Sequence, residues 1–287
     1  MNLLYDFSNL LQRVDPSKLT IVLLLTILPS VLLFSMILYS DRKAKEPILL
    51  ILICIFSGAF TICFSLIIDK LLMKYNLVIG NTLTAVNAYK LFRIFIFATV
   101  EEVCKMLVLV IFLYRNRNYD DIFDGFVYAS IIALSFSLVE TILYVLKEPT
   151  FSDMSSLALL RNFTSIPLHV VCGIVMGYFL SLCKFSKVKS KKILNIILTI
   201  VIPIFIHTLY NIFFEKAYMV NSEQGNVKSM IVLIMFVLSI YSVGIVFILK
   251  TNLLNKIYVS NGVYPRSKHY LMTKNEFIIR ESKKYTY

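Results

Sequence analysis

The 287-residue sequence is 58% hydrophobic and only 16% charged, with a mean hydropathy of +0.78. That composition excludes an ordinary soluble globular domain and places the chain among membrane proteins. The net charge of +12 does not point to nucleic acid, because the basic residues cluster at the ends of apolar runs and no nucleic-acid-binding motif accompanies them.

A helix needs roughly 20 apolar residues to cross a bilayer. Runs of this kind fall at approximately 19–39, 48–68, 91–114, 122–146, 164–183, 193–214 and 229–250. They predict an all-α, polytopic membrane helix bundle of about seven transmembrane helices, located in the cell membrane. The first run has its charges on the wrong flank for a secretory signal and no A-x-A-type site after it, so it is expected to be retained.

Basic residues recur on every second connection. Arg42, Lys43 and Lys45 follow the first run, Arg115 and Arg117 the third, and Lys184, Lys187, Lys189, Lys191 and Lys192 the fifth. Lys256, Arg266, Lys268, Lys274, Arg280, Lys283 and Lys284 follow the seventh. Positive-inside sorting then puts the N-terminus outside and the C-terminus in the cytoplasm. The connection at about 69–90 fits less well, with Lys70, Lys74 and Lys90 against Asp69. The expected organisation is a membrane domain over 1–250 and a basic, tyrosine-containing cytoplasmic tail over 251–287, drawn to anionic headgroups. The five cysteines (Cys54, Cys63, Cys104, Cys172, Cys183) lie in or beside apolar runs with no C-x-x-C pair, as small core residues rather than a disulfide framework.

Ionisable residues inside these runs break the pattern. Glu101, Glu102 and Lys105 lie in the third, Glu140 in the fourth, His169 in the fifth, and His207 with Asn211 in the sixth. Charged groups at such depth persist where they face a polar cavity and find partners. At 1.5 Å per residue, Glu101 and Glu102 lie roughly 15 Å below the outer end of their run, and Glu140, His169 and His207 roughly 8–10 Å below theirs. All fall in the outer half of the membrane. Each has a structural alternative. Glu102 with Lys105 could be a neutralised pair, His169 a satisfied core histidine, and His207 with Asn211 interhelical glue. Asp124 with Gly125 reads as a helix start or interface position. Pro167 and Pro203 stand near His169 and His207, where they could kink two helices and open a cavity.

Carboxylates, imidazoles and an amide at one level across separate helices suit water activation and oxyanion stabilisation, hence amide hydrolysis. No serine, cysteine or threonine stands out as a nucleophile. The sequence Glu101-Glu102-x-x-Lys105, then Phe136-x-x-x-Glu140, then His169 followed by Gly173 and Gly177, then His207-x-x-x-Asn211 resembles the PrsW family. These are bacterial membrane proteases distantly related to the CAAX-prenyl endopeptidases and to the scaffold subunit of gamma-secretase. The resemblance covers about 91–215.

It implies site-1 cleavage of a single-pass membrane anti-sigma factor, on the outer side, which leads to release of an extracytoplasmic-function sigma factor. It also implies that Glu101 or Glu102 is the water-activating base, that Lys105 pairs with a carboxylate, that Glu140 and His169 complete the water site, and that His207 and Asn211 line the oxyanion side. No metal or other cofactor is expected, since the prenyl-endopeptidase relatives work through glutamate; zinc is the alternative, held by Glu140, His169 and His207. The competing functions are a non-catalytic scaffold and a proton-coupled transporter, the latter lacking visible inverted repeats.

Overall fold

The computed structural model describes residues 15–41, 46–74, 83–218 and 227–260, and every regular element among them is helical. Helix α1 spans Pro16–Ser40, with Asp15 accepting from the Ser17 backbone N–H and proline at the first position. Helix α2 spans Ile48–Lys74 and α3 Leu83–Val108, which runs on into a π-helical turn, Leu109–Tyr114. Helix α4, Ile122–Val145, starts in a capping box. The Asp121 side chain accepts from Asp124 N at 3.0 Å, and Asp124 Oδ2 accepts from Asp121 N at 2.8 Å. Asp124 is thus a helix-start residue. A short helix α5, Phe151–Phe163, follows, then α6, Ser165–Phe185, α7, Lys189–Tyr218, and α8, Val227–Ser260.

Each expected apolar run coincides with a helix. Six stretches among the described residues are long and apolar enough to cross a membrane: Pro16–Ser40, Ile48–Ile68, Ile122–Val145, Phe151–Phe185, Lys189–Ala217 and Lys228–Ile257. Helix α3 is as long as the others but carries Lys90, Arg93, Glu101, Glu102 and Lys105. Its departure from the rest is therefore one of composition. The tail expected from 251 begins as helix, since α8 continues to Ser260, and 261–287 lie outside the described residues. The cysteines are unpaired; Cys54, Cys172 and Cys183 are buried, Cys104 is half-buried and Cys63 is exposed.

The core centres on α4 and α6. Every residue of α4 from Ile122 to Leu134 is buried, so this helix is enclosed by protein on all sides. Glycines bring α6 against it. A Cβ added at Gly177 would lie 2.0 Å from the Gly125 carbonyl oxygen, and one at Gly173 would lie 2.6 Å from that of Ala129. Small residues at four-residue spacing let two backbones approach closely where lipid supplies no hydrophobic drive. Continued along both helices, this seam carries Glu140 of α4 up to His169 of α6. By contrast, Leu28, Leu32 and Met36 of α1, Phe56 and Phe60 of α2, and Met235 and Leu249 of α8 are exposed, an apolar girdle suited to lipid.

Candidate active site

The polar residues picked out along the chain converge. Helix α3 supplies Glu101, Glu102 and Lys105, α4 supplies Glu140, α6 His169 and α7 His207, and all six are buried. Lys105 Nζ donates to Glu102 Oε1 at 2.7 Å. It also lies 2.9 Å from His169 Nδ1. An ammonium has donors only, so His169 Nδ1 is the acceptor and its proton sits on Nε2. That Nε2–H points at Glu140 Oε2, 3.1 Å away. On the other side, His207 Nδ1 donates to Glu102 Oε1 at 2.8 Å, leaving Nε2 as an acceptor that faces Glu101 Oε2 at 3.8 Å.

Aromatic packing fixes this arrangement. Phe136, one turn before Glu140, presents its ring to Lys105 Nζ at 4.1 Å from the centroid and meets the His169 ring edge-on at 5.3 Å. His169 and His207 cross at 88° with centroids 4.7 Å apart. The two glutamates have different surroundings. Glu102 Oε1 holds both Lys105 and His207, whereas Glu101 Oε2 is buried without a hydrogen-bond partner, as is Glu102 Oε2. Asn211 is half-buried one turn beyond His207 and makes no hydrogen bond within the cluster.

A further charged residue belongs to the site and was not expected from the sequence. Arg161, near the end of α5, is buried, and its Nη2 lies 2.6 Å from Glu140 Oε2. Its Nε donates to Thr141 Oγ1 at 3.1 Å, and the guanidinium covers the Tyr144 ring at 4.6 Å. Helix α5 falls in the span between two apolar runs, where hydropathy alone implies only a connection. A signal was present. Thr150 and Asp153 have helix-start spacing, and the buried Met154, Leu157, Ala158 and Arg161 repeat at i, i+3, i+4 and i+7.

One ligand atom from each of Glu101, His169 and His207 lies within 4.8 Å of the others, a group able to hold a metal ion. The carboxylate in this set is Glu101. Glu140, which the sequence offered for that place, is taken up by Arg161 and His169. Glu101 Oε2 makes no hydrogen bond and faces His207 Nε2 at 3.8 Å, so both lone pairs can turn to an ion, and His207 carries Glu102 on its other nitrogen, the pairing that orients a metal-binding imidazole. His169 must give up Lys105 before Nδ1 can bind an ion. The set fits a zinc ion at that cost, and zinc would polarise a water and the scissile carbonyl.

The model of the PrsW family intramembrane metalloproteases matches residues 46–242. A protease PrsW of Clostridioides difficile is 30% identical over 192 residues, 66% of this chain and 76% of that protein. One from Oceanobacillus iheyensis is 30% identical over 185 residues, 64% and 79% of the two chains. One from Bacillus subtilis is 26% identical over 185 residues, 64% and 78%. No solved structure matches. With the matched region spanning α2 to α8 and containing every buried charge of the cluster, the chain belongs to the PrsW family of intramembrane proteases.

Proposed function

We propose that this membrane protease makes the first, outer-side cut in a single-pass membrane anti-sigma factor, and that Glu101 is the base that activates water. One observation carries the choice of Glu101: its buried carboxylate accepts none of the cluster's hydrogen bonds, while Glu102 Oε1 is engaged by Lys105 and His207. Glu101 Oε2 and His207 Nε2 are two acceptors facing each other, a pair suited to taking the two protons of one water.

In this mechanism the water oxygen attacks the carbonyl carbon as a proton passes to Glu101. The C–N bond then breaks, and Glu101 returns that proton to the departing amine. Asn211 is the donor proposed for the oxyanion, since its amide is not engaged by the cluster. Glu102, Lys105 and His169 hold the charges and ring tautomers in place. The outer-side assignment rests on the alternation of basic connections, and the anti-sigma substrate on the motif resemblance. The metal-free reading is supported by Lys105, whose ammonium already occupies His169 Nδ1 and neutralises Glu102. The zinc alternative is favoured by the Glu101, His169 and His207 grouping.

The test is cleavage of a tagged single-pass anti-sigma factor by the purified protein in proteoliposomes. Processing on the outer side, cut roughly 100- to 10,000-fold by Glu101→Gln at equal folded amount, is the expected result. It should survive a membrane-permeant chelator. Loss on chelation, restored by zinc, would establish the metal mechanism. No processing by the unmodified protein of several such substrates overturns the site-1 assignment.

A further inference from the structure

Of the two strong cations of the cluster among the described residues, Lys105 comes from the 26-residue α3 and Arg161 from a helix of 13 residues. Arg161 reaches the site from this short helix, α5. Neutral groups already anchor that helix. Asn162 Nδ2 donates to Leu25 O of α1 at 2.9 Å, and Thr164 Oγ1 lies 3.0 Å from the Tyr210 hydroxyl of α7. The Tyr241 hydroxyl of α8 donates to Phe163 O. Three neighbouring residues thus tie the α5–α6 junction to three other helices with neutral groups. A buried cation added to these is poorly explained as a tether, because a buried ion pair is commonly no more stabilising than apolar packing of the same volume.

What Arg161 adds is a charged hold on Glu140. Both Arg161 Nη2 and His169 Nε2 converge on Glu140 Oε2, while Thr141, the next residue of α4, takes Arg161 Nε. A guanidinium fork has fixed geometry, so gripping two adjacent positions of α4 sets the direction of the carboxylate as well as its charge. Glu140 in turn takes the Nε2–H of His169, which leaves Nδ1 as acceptor for Lys105, and Lys105 holds Glu102. We propose that Arg161 is a positioning residue for the proteolytic reaction: through Glu140 it fixes the tautomer and orientation of His169, and so the Lys105–Glu102 side of the water site. The claim that this arrangement serves catalysis rests on the proposed function above; the claim about His169 stands on the hydrogen-bond chain alone.

Imidazole nitrogen-15 signals test it directly, since the chain has three histidines and His269→Gln removes the one that lies outside the described residues. In detergent micelles, His169 should show a protonated Nε2 and an acceptor Nδ1. Arg161→Met should shift both His169 signals most and the His207 signals less, since His207 is reached only through Lys105 and Glu102; a general loosening of the fold would move both rings alike. In proteoliposomes the same variant should lower cleavage per folded molecule roughly 10- to 100-fold, in kcat with KM unchanged. In a Glu140→Gln background Arg161→Met should cause no further loss, because the group it positions is gone. If Arg161→Met does not fold, Arg161→Gln, whose amide ends at the level of the arginine Nε and so falls short of Glu140, takes its place with the same expected outcomes. Unchanged His169 signals, or an equal loss with and without Glu140, overturn the proposal. Absence of anti-sigma processing by the unmodified protein counts against the site-1 assignment alone, and the imidazole signals still decide Arg161.

Discussion

Lys105 Nζ stands 2.9 Å from His169 Nδ1, so a residue of α3 and one of α6, 64 positions apart in sequence, share a hydrogen bond whose direction is fixed by chemistry. The same ammonium neutralises Glu102 at 2.7 Å. Removing it in Lys105→Met should leave Glu102 as an uncompensated buried charge and lower stability by about 3–5 kcal/mol. Unfolding in mixed micelles measures this. A loss below about 1 kcal/mol would show that Glu102 does not depend on Lys105.

The neighbouring glutamates should separate when stability and activity are measured together. Glu102→Gln removes the negative charge that balances the buried Lys105, and should cost about 3–5 kcal/mol along with activity. Glu101→Gln replaces a carboxylate whose buried Oε2 has no hydrogen-bond partner. It should leave stability unchanged or raise it by about 1 kcal/mol while abolishing cleavage. Equal destabilisation by the two substitutions would contradict the distinct roles assigned here.

Much of this was legible in the sequence because a bilayer imposes a simple rule: backbone groups must be satisfied within each segment, so long apolar runs become helices. Buried charges in such runs are rare enough that Glu101, Glu102, Lys105, Glu140, His169 and His207 stood out, and they do meet. Arg161 was hidden because an arginine in a polar 13-residue stretch resembles a solvated connection, and only its register on α5 marks it as buried. The different hydrogen bonding of Glu101 and Glu102 is not legible in the sequence either. It depends on which carboxylate oxygens the imidazoles reach, a matter of helix rotation that spacing alone does not set.

The α4–α6 seam gives a prediction about close approach. A Cβ at Gly177 meets backbone, the Gly125 carbonyl at 2.0 Å, and backbone cannot turn aside. Gly177→Ala should therefore destabilise by about 3 kcal/mol or more and also reduce cleavage per folded molecule, since the seam sets the Glu140–His169 distance. At Gly244 the nearest obstacle is a side-chain methyl, Val171 Cγ2 at 2.8 Å. Gly244→Ala should cost less and spare activity. Unfolding and cleavage measured for both variants provide the comparison, and a Gly177→Ala protein as stable and active as the unmodified one would refute the packing argument.

Pro29 sits inside α1, and because proline has no N–H, the carbonyl four residues back, Leu25 O, loses its intrahelical donor. Asn162 of α5 supplies the substitute at 2.9 Å. Asn162→Ala should consequently orphan that carbonyl and cost about 1–3 kcal/mol. In a Pro29→Ala background the restored N–H satisfies Leu25 O, and the cost of Asn162→Ala should shrink to a few tenths of a kcal/mol, about the size of independent-site scatter. A full double-mutant cycle by unfolding in micelles measures the coupling. Strictly additive costs would mean that Asn162 contributes through its packing on α1. A strong coupling would instead show that the proline creates the acceptor on which α5 docks, one residue from the arginine that holds Glu140.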